Sequence, residues 1–283
     1  MSVKLIGVDL DGTLLTDRKE LPAGTRAVLE EALCRGIEIV PITGRPRHGI
    51  PEEVLGLKNL HYCISSNGAV TTDLRTGEVL RNASLPVERA AEIVEIVLEK
   101  IDDVPEILEI FTGGRGYHNE QAAALIRERF DGTPMMSYYG ISRTIVNDVR
   151  DLLREPLAQE HGIENIAIST GSREVHEAAL NGVKPLSGIK IISYSSGFIE
   201  IGSTESDKGA ALTALAEHLQ IAREETMAFG DNANDIGMLE VAGHPVLMGN
   251  AEAHLKERFP HVALDNEHEG VADYIRRHVF PSL

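Results

Sequence analysis

The chain has 283 residues, 42% hydrophobic and 25% charged, an ordinary globular mix whose length suits about two domains. Acidic residues outnumber basic ones 44 to 27, a formal charge of −17, which argues against a basic surface that grips nucleic acid or an anionic membrane, though a local cluster or metal ion can still admit a small anionic substrate. With no Trp and only six Tyr and six Phe, an aromatic stacking platform for single strands is not expected; the two cysteines lack a CxxC spacing; and no apolar run reaches the roughly eighteen residues that span a bilayer, so a cytoplasmic protein is expected.

The first element, VKLIGVDL (3–10), is an apolar run ending in acid, as in a parallel strand covered on both faces. Residues 22–35 place Val28, Leu29, Ala32 and Leu33 on one helical stripe, with Pro22 near the start and Gly36 just past the end. A second strand, IEIVPIT (37–43), a helical stretch to about Gly56 and a third strand, HYCISS (61–66), follow. Such alternation is that of βαβ units with right-handed crossovers. From about 84 to 203 the style changes to long helical stretches and separate strands: EILEIFT (106–112), ENIAIST (164–170), GIKIISYS (188–195) and FIEIG (198–202). Gly-Gly-Arg-Gly at 113–116 marks a hairpin turn. The βα style then returns. A helix at 207–219 has Leu212, Leu215, Ala216 and Leu219 inward, and TMAFG (226–230), a helix at 234–242, HPVLMG (244–249) and a closing helix at 270–279 complete the chain. The expected fold class is α/β: a Rossmann-like three-layer core with a parallel sheet, formed by residues 1–83 and 204–283, and an α+β insertion of residues 84–203.

Ligands of open α/β sheets bind beyond the carboxyl ends of the strands, and four clusters fall there. Asp9 and Asp11 stand two apart on extended chain, so both carboxylates can face one site, with Gly12 turning the backbone away; a plain strand end with an Asp-Gly turn reads equally well. Thr43-Gly44-Arg45 offers a hydroxyl and backbone amides to an anion, or simply a helix cap. Lys208, in the first turn of its helix, opposes the helix dipole, as a lysine answering an anion would; a solvated surface lysine is the alternative. Asp231, Asn232, Asn234 and Asp235 crowd one strand end, more than helix capping needs. Neither acidic cluster fits a calcium loop, and no phosphate-binding P-loop, zinc-protease or serine-hydrolase motif is present.

Taken in order, DLDGTLLT (9–16), ITGR (42–45), SDKG (206–209) and GDNANDIGML (230–239) resemble the haloacid dehalogenase superfamily of phosphatases. SSNGA (65–69), FIEIG (198–202), LMGNA (247–251) and EGVA (269–272) resemble its Cof-like branch, which carries a large α+β cap between the second and third motifs. The resemblance covers about 160 residues of the two core segments and hardly touches the cap, where substrate identity resides. It implies a phosphatase of small phosphorylated metabolites, sugar phosphates above all, acting through an aspartyl-phosphate. It makes Asp9 the nucleophile and Asp11 the general acid and base. Mg²⁺ is the implied cofactor, held by Asp9, Asp231 and the Asp11 backbone carbonyl, with Asp235 close by. Thr43, Gly44, Lys208 and Asn234 are the implied phosphoryl contacts, and Arg45 a further substrate contact. A phosphosugar mutase and a non-catalytic phosphometabolite-binding protein are the alternatives. In the cap, Arg115, Tyr117, His118 and Glu120 face either substrate or solvent on an exposed hairpin. Neither nucleic acid nor membrane is an expected partner, and the sequence leaves the oligomeric state open.

Overall fold

The computed structural model describes residues 2–101, 107–193 and 197–282. Residues 106, 194 and 195, read above as strand ends, lie outside them. The strands are β1 (Leu5–Val8), β2 (Glu38–Pro41), β3 (Tyr62–Ser65), β4 (Val70–Asp73), β5 (Val79–Asn82), β6 (Ile107–Thr112), β7 (Arg115–His118), β8 (Arg143–Ile145), β9 (Asn165–Ser169), β10 (Ile189–Ser193), β11 (Phe198–Ser203), β12 (Thr226–Gly230) and β13 (His244–Leu247). The chain divides into two compact units: residues 1–45, 50–81 and 207–283, and residues 46–49 with 82–206. No helix of the described residues is long and apolar enough to cross a membrane.

The first unit is built on a parallel sheet in the order β13-β12-β1-β2. Side chains alternate across it, and both sides are buried. Ile6, Val8, Ile39, Met227 and Phe229 join the helix Ala23–Cys34, which turns in Val28, Leu29, Ala32 and Leu33. Leu5, Val40 and Ala228 join the helices Lys208–His218 and Ile236–Val241 on the other face, through Leu212, Leu215, Met238 and Leu239. Helix, sheet and helix make three layers, which is why the strands read as unbroken apolar runs. β3 extends this edge through a parallel bridge between Ile42 and Ile64, and then turns into the antiparallel ribbon β3-β4-β5, which the sequence did not announce.

The second unit is a six-stranded sheet in the order β10-β11-β9-β6-β7-β8, antiparallel except for β7 beside β8. Ile166, Ile168, Ile199 and Ile201 pack on Ala90, Ile93, Val94 and Val97 of the helix Val87–Ile101 and on Val175, Ala179 and Val183 of the helix Arg173–Val183. The β6–β7 hairpin turns at Gly113 and Gly114, both at positive φ (56° and 77°), so Arg115 and Gly116 already belong to β7. One expectation needs correcting: His118 is neither on an exposed hairpin nor free for substrate. It is buried within this unit, with Nδ1 3.2 Å from the buried Glu109 carboxylate. Glu120 is exposed in the next helix and pairs with Arg127.

Candidate active site

β1, β2 and β12 run parallel, with Val8 aligned to both Pro41 and Phe229, so their carboxyl ends share one edge. Asp9, Thr43 and Asp231 follow those three ends. Behind them the helix Lys208–His218 starts on Asp207, whose carboxylate accepts from the Gly209 and Ala210 amides. That cap fixes Lys208 at the first helical position with its side chain turned inward, 1% exposed. Its ammonium donates to Asp9 Oδ1 and to Asp235 Oδ1, both at 2.6 Å. Lys208 is therefore not a solvated surface lysine.

Each acid has a distinct setting. Asp235 is fully committed: Oδ1 takes Lys208, and Oδ2 accepts from the Asp231 and Asn232 amides at 3.0 Å. Asp231 Oδ1 accepts from the Thr13 hydroxyl at 3.0 Å. Asp9, 6% exposed, gives one oxygen to Lys208, and Oδ2 takes no hydrogen bond among the described residues. Ligand oxygens of Asp9, Asp231 and Asp235 lie within 4.8 Å of one another. One ammonium among three carboxylates leaves the group negative. Burial first, then the neighbouring Asp235, pushes the Asp9 carboxyl well above its usual range, against the pull of Lys208. The same two causes push Asp231 up to about 6. Lys208 is raised despite its burial, because Asp235 and Asp9 hold its proton. Gly12 is required here: its φ is +84°, and a β-carbon would lie 2.5 Å from Asp231 Oδ2.

Asp11 is separate from this cluster. Arg45 donates to both its oxygens at 2.7 Å, and Lys19 lies 2.8 Å from Oδ1. Burial works to raise this carboxyl, but the Arg45 hydrogen bonds and charge, with Lys19, bring it down to about 2. Its carboxylate is thus tied to cations of its own. Thr43 uses its hydroxyl locally, accepting from the Arg45 amide at 3.1 Å. Gly44 faces Asn67: a β-carbon there would sit 3.1 Å from Asn67 Oδ1. Asn234 donates to that same oxygen at 3.1 Å.

The structure thus brings Asp9, Asp231, Asp235 and Lys208 together, and groups Thr43, Gly44 and Asn234 around Asn67. Sequence reading had overlooked Lys19, and it met Asn67 and Thr13 only inside SSNGA and DLDGTLLT, without giving either a role. Asn67 lies in the run Ser66-Asn67-Gly68, all at positive φ (50°, 54° and 93°) and held by bonds from Ser66 N to Arg45 O and from Asn67 N to Thr43 O, both 2.9 Å. Left-handed non-glycine residues cost of order 1–3 kcal/mol each and cluster at functional sites. An Asn-Gly pair straight after a strand is the one trace of this in the sequence.

Residues 6–275 match the family of haloacid dehalogenase-like hydrolases. The chain belongs to that family. Like its relatives in the haloacid dehalogenase superfamily, it is a phosphoric monoester hydrolase. It is 30% identical to the phosphatase YwpJ of Bacillus subtilis, over 97% of this chain and 99% of that protein. It is 28% identical to the pyridoxal phosphate phosphatase YbhA of Escherichia coli, over 99% of this chain and all of that protein. A solved haloacid dehalogenase-like hydrolase from B. subtilis is 29% identical and superposes with a TM-score of 0.81, covering 98% of this chain and 100% of that one. The haloacid dehalogenase-like fold accounts for the parallel core sheet and the separate antiparallel sheet alike.

Proposed function

We propose that this hydrolase is a Mg²⁺-dependent phosphatase of small phosphorylated metabolites, working through an aspartyl-phosphate on Asp9, with residues 84–203 as the cap that sets the substrate. The observation that carries the reading is the buried Lys208 bridging Asp9 and Asp235 beside Asp231. The donor set suits a hard divalent cation: oxygen atoms only, net negative, with two carboxyls pushed up by burial and then by the neighbouring Asp235. Asp9 Oδ2 and Asp231 would hold it together with the Asp11 carbonyl, while Asp235, its oxygens committed, would act through its neighbours. Bound there, Mg²⁺ would neutralise phosphoryl charge.

The chain's own residues supply the remaining steps. Asp9 attacks phosphorus and the bond to the leaving oxygen breaks. That oxygen takes a proton from Asp11. Water then attacks the acyl phosphate, gives its proton to Asp11, and free phosphate leaves with Asp9 restored. As it stands, Asp11 is ionised, the form needed to accept a proton from water; to act first as an acid it must give up its pairs with Arg45 and Lys19 and take up a proton from solvent, which it then passes to the leaving oxygen. Lys208 keeps a fixed positive charge against the phosphoryl oxygens, and the Thr43 and Asn234 side chains orient them. YbhA's named substrate, pyridoxal phosphate, supports small molecules as the substrate class.

The test is phosphate release from p-nitrophenyl phosphate after EDTA treatment and after Mg²⁺ is added back. The expected result is loss and recovery. Full turnover in exhaustively metal-free protein would remove the metal from the reading, and phosphoryl transfer between sugars without release of phosphate would mark a mutase instead.

A further inference from the structure

The Ser66-Asn67-Gly68 turn that follows β3 puts three left-handed residues in a row, two of them not glycine. Its backbone is held from several sides. Thr43 N donates to Ile64 O at 3.0 Å, and Asn67 N and Ser66 N donate to Thr43 O and Arg45 O, both at 2.9 Å. Arg81 of β5 donates to the Gly68 carbonyl at 2.6 Å. On its other side Gly68 lies against the peptide that joins Asp207 to Lys208. A β-carbon there would fall 2.3 Å from the Asp207 carbonyl oxygen and 2.8 Å from the Lys208 nitrogen. One turn thus abuts both the Thr43-Gly44-Arg45 loop and the start of the Lys208 helix, and all of these residues belong to the first unit.

None of these bonds uses the Asn67 side chain, and glycine would take the same backbone conformation more readily. What asparagine adds is its carboxamide. Oδ1 accepts from Asn234 Nδ2 at 3.1 Å. The same group packs on Gly44, where a β-carbon would lie 3.1 Å from Oδ1 and 3.3 Å from Nδ2. A carboxamide nitrogen carries two protons in one plane. With one of them on Asn67, the Asn234 amide cannot flip alone without setting its own oxygen against the Asn67 oxygen, and its second N–H keeps one direction. An anion accepts only from a donor. The flip therefore decides whether Asn234 offers a phosphoryl oxygen an N–H or a repelling lone pair.

We propose that Asn67 is a positioning residue of the phosphoryl site: its carboxamide holds Asn234 with an N–H toward the phosphoryl oxygens, on a turn that keeps Thr43, Gly44 and Lys208 in register with it. This deepens the reading of Thr43, Lys208 and Asn234 as phosphoryl contacts and rests on it.

A double-mutant cycle on p-nitrophenyl phosphate with Mg²⁺ tests the role, using Asn67→Gly, Asn234→Ala and the two together. Glycine keeps the backbone bonds of the turn and suits its left-handed conformation, so it removes the side chain alone. In Asn67→Gly the urea midpoint is no lower than in the wild type, while kcat/KM falls about tenfold or more, chiefly in kcat. Asn234→Ala falls at least as far. The double variant is slower than Asn234→Ala by no more than about twofold, since Asn67 then has nothing left to hold. The proposal is overturned by wild-type rates in either single variant, by losses that multiply in the double variant, or by a midpoint that drops in step with activity, which would make Asn67 structural only. Each of these leaves the phosphatase reading of Asp9 standing. Calorimetric titration with inorganic phosphate and Mg²⁺ repeats the cycle without turnover. If the wild type hydrolyses no phosphoester, the phosphatase reading fails, and the same non-additive pattern in phosphate Kd still upholds the role of Asn67. A Kd indifferent to Asn67→Gly, or no phosphate binding by the wild type, overturns it.

Discussion

Each unit buries a cluster of charge, and the two are balanced differently. In the second unit Glu109 accepts from Arg143 Nε at 2.8 Å and lies 3.2 Å from His118 Nδ1, while the Arg143 guanidinium is covered by the rings of Phe111, Tyr138 and Tyr139 at 4.5 to 4.9 Å. Burial works to raise the Glu109 carboxyl, yet Arg143 and His118 keep it below its usual range. Charge meets charge there, and the cluster ties β6, β7 and β8 together. In the first unit three carboxylates share one ammonium, and Asp9 and Asp231 are both pushed up. Burying charge is expensive unless it is paired. A balanced buried cluster is therefore architecture, and an unbalanced one is a place prepared for something else.

The sharpest way to break that contrast is to neutralise one member of each cluster. Asp9→Asn removes the nucleophile, since an amide cannot form an acyl phosphate, and turnover of p-nitrophenyl phosphate should fall by about 10³-fold or more. The fold should survive, because the substitution relieves a repulsion. A variant that keeps half the wild-type rate would rule out Asp9 as the reacting group. Glu109→Ala should behave oppositely. It leaves Arg143 buried without its partner and should cost about 3–5 kcal/mol in urea unfolding. Unfolding at the wild-type midpoint would show that the Glu109 cluster is not structural.

How far the sequence carried this contrast depends on what each feature requires. Asp9, Lys208, Asp231 and Asp235 were legible because each follows a strand or opens a helix, and the parallel core places such positions along one edge. His118 was not. Residues alternate along β7, with Gly116 and His118 buried and Arg115 and Tyr117 half exposed, and nothing local states which parity faces inward. The β4–β5 ribbon escaped notice because VTTD and VLRN carry too little apolar alternation. Asn67 and Lys19 act from left-handed loop positions, with φ of 54° and 65°, whose partners are set by the fold rather than by spacing.

A smaller effect tests the imbalance itself. The Asp231 carboxyl is raised from 3.8 to about 6, so the folded protein without metal binds more protons than the unfolded chain between those values. This contribution to stability is present at pH 4 and lost as pH rises through 6. Asp11, brought down to about 2, acts in the other sense, but only below about pH 4. Mg²⁺ needs Asp231 ionised, and Asp9, also pushed up, as well, so its apparent affinity should improve by at least about tenfold between pH 5 and 7. The thermal midpoint should therefore respond to Mg²⁺ more at pH 7.5 than at pH 5. An equal response at both would mean that Asp231 is not part of the metal site.

The smallest effect compares two hairpins, one in each unit. Gly77, between β4 and β5, and Gly114, between β6 and β7, have the same φ of +77°. A β-carbon on Gly77 meets nothing within 4 Å, whereas one on Gly114 lies 3.1 Å from the Arg47 side chain. Alanine at either position carries the same left-handed penalty, about 1 kcal/mol. The difference between Gly77→Ala and Gly114→Ala in denaturant unfolding then isolates the crowding at Arg47, and Gly114→Ala should be the more destabilising by a few tenths of a kcal/mol. If the two variants unfold alike, the Gly114 tip does not press on Arg47, and the left-handed penalty alone accounts for both.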